Sequence, residues 1–241
     1  MKIPELHPWN VTPSEARALQ LALRERMERR DRLPEIRIVA GADAAFIEPE
    51  RRSWERGTGR AIAAVVTYRF PGMEALEQVT ANCALTFPYV PGLLSFREVP
   101  ALIEAFRKLR HVPDVIFCDA HGYAHPRRFG LACHLGVLLD RPAIGCAKSR
   151  LIGAYHEPGR ARRSWSPLCE ESSGKPGGRE LIGAVLRTSD GVRPIFVSQG
   201  HRVSLRTAIR LTLAVCDGRR VPRPTREADR LAALAKRGQA A

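Results

Sequence analysis

The sequence has no apolar run approaching the roughly 18–20 residues that a membrane-spanning helix needs. No helical stretch joins a strong apolar face to a basic one, so a membrane-surface anchor is not expected. The first residues, Met1-Lys2-Ile3-Pro4-Glu5-Leu6-His7, hold no apolar signal-peptide core. There is no CxxC pair. Six cysteines (Cys83, Cys118, Cys133, Cys146, Cys169 and Cys216) are scattered, mostly in apolar runs. A free cysteine there packs as a small hydrophobe, and the pattern points to a reducing cytoplasm with no zinc site. A Walker loop, a Rossmann glycine signature, a Ser/His/Asp nucleophile elbow and HExxH spacing are all missing, which excludes the chemistries they carry. Internal repeats and low-complexity tracts are missing too.

Acid is also in short supply. The 241 residues carry 25 Asp and Glu against 39 Lys and Arg, a net charge of +14. Such a surface attracts polyanions, nucleic acid ahead of a small anionic substrate. Hydrophobic residues make up 44%, enough for a self-sufficient core. A chain of this size buries roughly 70–75% of its unfolded surface, and one domain over residues 1–241 is expected.

Thr12-Pro13-Ser14-Glu15 predicts a capped helix start, with Ala16, Leu19, Leu23 and Met27 following at helical spacing. Residues 36–46 read as a strand with Ile36, Ile38, Ala40, Ala42, Ala44 and Phe46 on one face and Asp43 on the other. A polar turn over 48–60 and two strands at 61–70 and about 75–85 complete an antiparallel meander. The loop 86–95 leads into a helix up to about Arg110. A strand at 114–119, a loop at 120–128, a helix over about 129–140 and a strand at 143–147 then imply a parallel right-handed crossover. Residues 157–179, rich in Gly, Pro, Ser and Arg, read as a surface excursion. Strands at about 180–188 and 192–198 form a hairpin, with helices expected at 204–216 and 225–237. The fold class is α/β: a mixed sheet, antiparallel meander plus parallel strands, flanked by helices.

Asp43 is an ionised group amid apolar strand residues, costly unless paired or bound to metal. A salt bridge to a sheet neighbour serves equally well. Asp119 closes the strand Val115-Ile116-Phe117-Cys118, at the carboxyl edge where ligands gather in open α/β sheets; a local turn is its plain alternative. Two strand-borne acids on a basic protein point to Mg²⁺ or Mn²⁺ acting on phosphate. Glu98 fits a capping box, Ser95-Phe96-Arg97-Glu98, as well as it fits a metal role. Pro100, one turn on, weakens the cap. Lys148 ends the strand 143–147 and would share an edge with Asp119, placed to neutralise phosphate charge; a solvated surface lysine is the plain alternative. His134 reads as a core histidine. His121 and His125 flank a loop and suit phosphate contact.

Six blocks in order together resemble the endonuclease V family, from about Leu6 to Leu231. They are Val39–Asp43, Phe87–Glu98, Asp119–Gly122 with His125–Gly136, Ile144–Leu151, Val197–His201 and Pro224–Asp229. The resemblance implies a ribonuclease H-like fold. It implies a metal cluster of Asp43, Glu98 and Asp119, with Lys148 beside the scissile phosphate and Mg²⁺, replaceable by Mn²⁺, as the ion. It implies an endonuclease that reads deaminated bases, chiefly inosine in DNA, and cuts the second phosphodiester bond 3′ to the lesion, leaving 3′-hydroxyl and 5′-phosphate ends.

Reading such a base requires its extrusion from the stack. By resemblance, Tyr89, Val90 and Pro91 form the wedge, and Gly92, Gly122 and Leu151 belong to the lesion pocket. Arg97, His125, Arg127, Arg128 and Arg150 would contact phosphate. Asp229 stands where some members carry histidine near the metal; it is either a ligand or a helix-surface acid. Ala120 stands where many members have glycine, and His201 is expected to order the turn after the hairpin. A cytoplasmic monomer is expected. Two other readings stay open here: an inosine-specific endoribonuclease, and a non-catalytic nucleic-acid-binding module with the same fold.

Overall fold

The computed structural model describes residues 1, 3–48, 59–171 and 178–239. Helix α1 (Pro13–Arg24) begins as its capping box predicts: Glu15 donates its backbone N–H to the Thr12 hydroxyl, and the Thr12 N–H donates to the Glu15 carboxylate at 2.7 Å. Strands β1 (Ile38–Ile47), β2 (Arg60–Arg69) and β3 (Glu74–Ala84) form the antiparallel meander. Most of the polar turn expected between the first two lies outside the described residues. Helix α2 (Ser95–Lys108), strand β4 (Val115–Cys118), helix α3 (Leu131–Leu139) and strand β5 (Ala143–Ala147) follow, with β4 parallel to both β1 and β5.

Strands β6 (Trp165–Glu171), β7 (Arg179–Leu186) and β8 (Ile195–His201) precede helices α4 (Leu205–Ala214) and α5 (Arg223–Gln239). The eight strands form one mixed sheet in the order β3-β2-β1-β4-β5-β8-β7-β6. Strand β6 corrects the surface excursion expected over 157–179. It pairs antiparallel with β7, and its inward residues Ser166 and Leu168 are buried. The Gly, Pro and Ser that mask it in composition lie mainly to either side of the strand.

Alternation along the strands assigns the two faces. Ala40, Ala42, Ala61 and Ala63 lie in the core under α2 and α3, where small side chains let the helices sit close. Val39, Val66, Val115 and Phe117 lie in the opposite core with residues of α4 and α5. Gly41 shares that second face, and a Cβ there would lie 2.0 Å from the Pro224 carbonyl oxygen, so α5 rests directly on β1. Asp43, two residues on, points to the same side.

The expected capping box at Ser95 is not formed. Leu94 is the N-cap residue, Ser95 lies inside the helix, and its hydroxyl meets His134 Nδ1 at 3.0 Å. Pro100 sits within α2 without ending it.

Candidate active site

Strand β4 ends at Cys118, opposite Ala42, so Asp119 leaves the sheet beside Asp43; its N–H donates to the Ala42 carbonyl at 3.3 Å. By alternation both carboxylates lie on the α5 side, and α5 supplies Asp229. One oxygen from each of Asp43, Asp119 and Asp229 lies within 4.8 Å of the other two. Glu98 comes from α2, on the opposite layer, and is 7% exposed. It stands outside the three-residue group yet close enough for the charges of Asp43 and Asp119 to act on it. The Glu98 side chain therefore serves no cap: it is buried against other acids.

Lys148 follows β5 and reaches across the edge. Its Nζ lies 2.5 Å from Asp119 Oδ2 and 2.6 Å from Asp229 Oδ2. These two bonds tie the lysine to the acids, although it stays open to solvent. Side-chain exposures of 41% for Lys148 and 47% for Asp229 leave the cluster open to a large substrate.

Electrostatics make the acid cluster unfavourable on its own. Burial, then the charges of Asp119 and Asp229, push the Asp43 carboxyl up to about 8. Burial first, then Asp43 and Asp119, raise Glu98 well above the usual carboxylate range. Asp119 is raised by burial although Lys148 opposes the shift. Burial pulls the Lys148 ammonium down, but hydrogen bonds and charge from Asp119 and Asp229 outweigh it and raise its pKa. Like-charged carboxylates held this close relieve their repulsion by sharing a cation. The donors are all hard oxygens, which suits a divalent ion of the Mg²⁺ class. The residues fit such a group.

A cavity of about 270 Å³ opens beside this edge. Ala120 and Ser149, the neighbours of Asp119 and Lys148 in sequence, line it, as do Leu94, Ser95 and His121. Tyr89, Val90, Pro91 and Gly92 form one wall and Leu151 another. Tyr89 is 69% exposed at its rim, whereas Val90 packs on the small core of Val11, Phe87 and Phe96. Gly92 has φ +78°, the left-handed region that favours glycine. Gly122 is not a wall residue. A Cβ there would lie 2.3 Å from the Gln199 carbonyl oxygen, so its glycine serves close packing on β8.

The arginines and histidines expected at phosphate divide. Arg150 is exposed at the cavity and bonds the Gly153 carbonyl. The others turn inward and already hold partners within the protein. Arg97 is buried, paired with Glu48 and stacked over Phe46 at 4.5 Å. Arg128 is paired with Glu170 at 2.6 Å and Glu180 at 2.8 Å. His125 and Arg127 both donate to the Gly92 carbonyl, at 2.9 and 2.6 Å. Gln20 of α1 donates to that same oxygen at 3.1 Å. Sequence reasoning did not single out Gln20; a buried glutamine on an otherwise apolar helix face was the available signal. His201 bonds the Glu28 N–H through Nδ1 at 3.2 Å, so it orders the segment ahead of β1 as well as its own turn.

The comparisons with known proteins agree with this geometry. The Endonuclease V family model matches residues 21–230. The chain is 47% identical over 232 residues to the endonuclease V of Roseiflexus castenholzii, covering 96% of this chain and 97% of that one. It is similar to the crystal structure of endonuclease V from Streptomyces avermitilis, with a TM-score of 0.85, 40% identity, and 97% and 96% of the two chains covered. It is also similar to Ciona intestinalis endonuclease V, solved with a 24mer DNA containing an inosine followed by a ribo-adenosine, with a TM-score of 0.76, 27% identity, and coverages of 93% and 98%. Sheet, acid cluster and sequence relationships agree: the chain belongs to the endonuclease V family.

Proposed function

We propose that this nuclease cuts DNA near deaminated bases, chiefly inosine, using a divalent cation. The observation that carries the reading is the adjacency of two features. The cluster of Asp43, Asp119, Asp229 and Lys148 and the cavity under Tyr89 share one edge, joined through Ala120 and Ser149.

Asp43, Asp119 and Asp229 hold the ion, with Glu98 behind them. Mg²⁺ is the proposed occupant and Mn²⁺ its substitute. When bound, such an ion lowers the pKa of water and neutralises charge on a phosphate. Lys148, held by two carboxylates, presents its ammonium where charge develops on the scissile group. Deamination exchanges an amino group of adenine for a carbonyl and places a proton on N1. A base so altered pairs poorly and costs least to extrude. The cavity receives it, and Tyr89 fills the gap left in the stack, an insertion costing about a few kcal/mol per unstacked step. Arg150 takes a neighbouring phosphate. The cut falls at the second phosphodiester bond 3′ to the lesion, leaving 3′-hydroxyl and 5′-phosphate ends. All four acids and the lysine come from one chain, so a monomer suffices.

End-labelled strands containing inosine, uracil or no lesion, in DNA and RNA, incubated with Mg²⁺, test the reading. Specific cutting of the inosine DNA strand is expected. Equal cutting of undamaged strands would remove the lesion assignment, and exclusive cutting of RNA would move the substrate to the endoribonuclease alternative.

A further inference from the structure

A second basic surface lies away from the acid cluster. Arg162, Arg163, Trp165, Arg206, Arg210 and Leu213 line a concavity of about 410 Å³ between the start of β6 and the outer side of α4. The four arginines are exposed, and Trp165 is 49% exposed. Among the described residues, none of the four lies within 4.0 Å of a carboxylate oxygen, and only Arg210 is near enough to an acid, Asp31, for its charge to be felt there. Arg128, by contrast, is neutralised by Glu170 and Glu180. An exposed aromatic among unpaired guanidiniums is the composition of a nucleic-acid surface, in which cations follow the backbone and a ring takes a base.

The sheet places this surface on the edge that carries the active site. Trp165 pairs with Leu186, and Leu186 with Ile195. Phe196, the next residue, pairs with Ala147, which precedes Lys148. Three strand spacings of about 4.8 Å therefore separate Trp165 from the Lys148 strand, roughly 14 Å. That is about four steps of 3.4 Å along a duplex strand. Arg220 spans part of the interval, donating to the carbonyls of Lys148, Arg193 and Pro194.

The loop bearing the patch is fixed before any ligand arrives. The Arg163 N–H donates to the Arg187 carbonyl at 2.8 Å, and Arg187 returns a bond to Ser164. The Arg162 N–H donates to Asp190 Oδ1 at 2.6 Å, and Gly191 donates to the Arg160 carbonyl. A preorganised surface loses little freedom on binding.

We infer that this arginine and tryptophan surface is an anchoring site for the flank of the nucleic-acid substrate, about four or more nucleotides from the scissile bond. The arginines hold phosphates, and Trp165 stacks an unpaired base. The inference rests on the proposed function for its substrate, but its test does not depend on cleavage.

Undamaged duplexes and lesion-bearing duplexes are prepared with short and long flanks, and binding is followed by fluorescence anisotropy across a salt series. For Arg206→Ser/Arg210→Ser, long-flank affinity is expected to fall about tenfold, with the slope of log K against log salt reduced by about two phosphate contacts, near 0.9 each. Short-flank binding and the cleavage rate at saturation stay unchanged. Equal losses on short and long flanks, or no loss on either, would overturn the anchor. Trp165→Ala is expected to weaken binding to a single-stranded flank by about fivefold or more, and Trp165→Phe to restore it. An equal loss on fully paired flanks would overturn the stacking role. If the wild type fails to cut inosine strands while the flank effect persists, the proposed function fails and the anchor stands.

Discussion

His125 Nε2 donates to the Gly92 carbonyl at 2.9 Å, and that bond fixes the imidazole in one form. A carbonyl can only accept, so Nε2 carries the proton and Nδ1 receives the Arg127 N–H at 3.2 Å. Burial, then the charge of Arg127, bring the ring down to about 4, which keeps it neutral. The histidine is a strut for the loop beneath Tyr89. Replacing it, as His125→Ala, takes one of three donors from the Gly92 carbonyl and the Nδ1 acceptor from the Arg127 N–H, and is expected to cost about 1 kcal/mol or more in urea unfolding. Discrimination between inosine and undamaged strands should fall with it. Unchanged stability and unchanged discrimination would contradict the strut.

The acid cluster is expected to make stability depend on pH and on metal. Burial and the neighbouring Asp119 and Asp229 push the Asp43 carboxyl from an ordinary 3.8 up to about 8, so the folded state holds the extra proton between these values. The stability this proton provides is full below the ordinary value and is lost as pH rises through the folded one. Glu98 and Asp119 are raised as well and act in the same direction. Metal-free protein is therefore expected to lose stability from about pH 5 to about pH 8, with Mg²⁺ restoring more at the higher pH, where carboxylates are free to bind. Thermal unfolding with Mg²⁺ and with EDTA at both pH values measures this. An equal Mg²⁺ effect at both would count against the cluster as the binding site.

A buried histidine pair gives the opposite slope in acid. His7 donates from Nδ1 to the Pro8 carbonyl at 2.8 Å, so its Nε2 accepts from His134 Nε2, also at 2.8 Å. His134 Nδ1 then accepts from the Ser95 hydroxyl at the start of α2. Burial lowers both rings, His134 well below 6.5. A group with a lowered cationic pKa binds its proton in the unfolded chain first, so stability falls as pH drops through about 6.5. His134→Gln keeps a polar partner without the titration. Its stability is expected to change less steeply on that acid limb, read from urea midpoints across pH.

Gly41→Ala tests how α5 delivers Asp229. The added Cβ would lie 2.0 Å from Pro224 O and 2.1 Å from its carbon, both backbone atoms that cannot swing aside. A loss of about 1–3 kcal/mol or more is expected, with weaker metal binding because Asp229 moves with the helix. Calorimetric Mg²⁺ titration and unfolding together measure it. Unaltered metal affinity in a destabilised protein would separate α5 docking from the site.

Much of this was legible in residue order. Asp43, Asp119 and Lys148 sit at strand positions whose alternation and edge follow from local pattern, and the structure brings them together. Glu98 was ambiguous because Ser95-Phe96-Arg97-Glu98 satisfies a cap by spacing; only the entry of α2 from the opposite layer decides between the two roles. The inward turn of Arg97, Arg127 and Arg128 depends on Glu48, Gln20, Gly92, Glu170 and Glu180, partners far away in sequence. Strand β6 was hidden because Pro167 and its polar neighbours suppress strand propensity. Pairing with β7 at the sheet edge overrides it.

Asp43→Asn probes the centre of the account, since it removes the charge that Asp43 would carry with an ion bound, and little volume. Cleavage of an inosine-containing DNA strand in Mg²⁺ is expected to fall by about 10³-fold, the scale of losing one transition-state electrostatic contact. Binding of the same strand in Ca²⁺ should stay near that of the wild type. A variant that cuts at close to the normal rate would contradict the assignment of Asp43, Asp119 and Asp229 as the catalytic metal site.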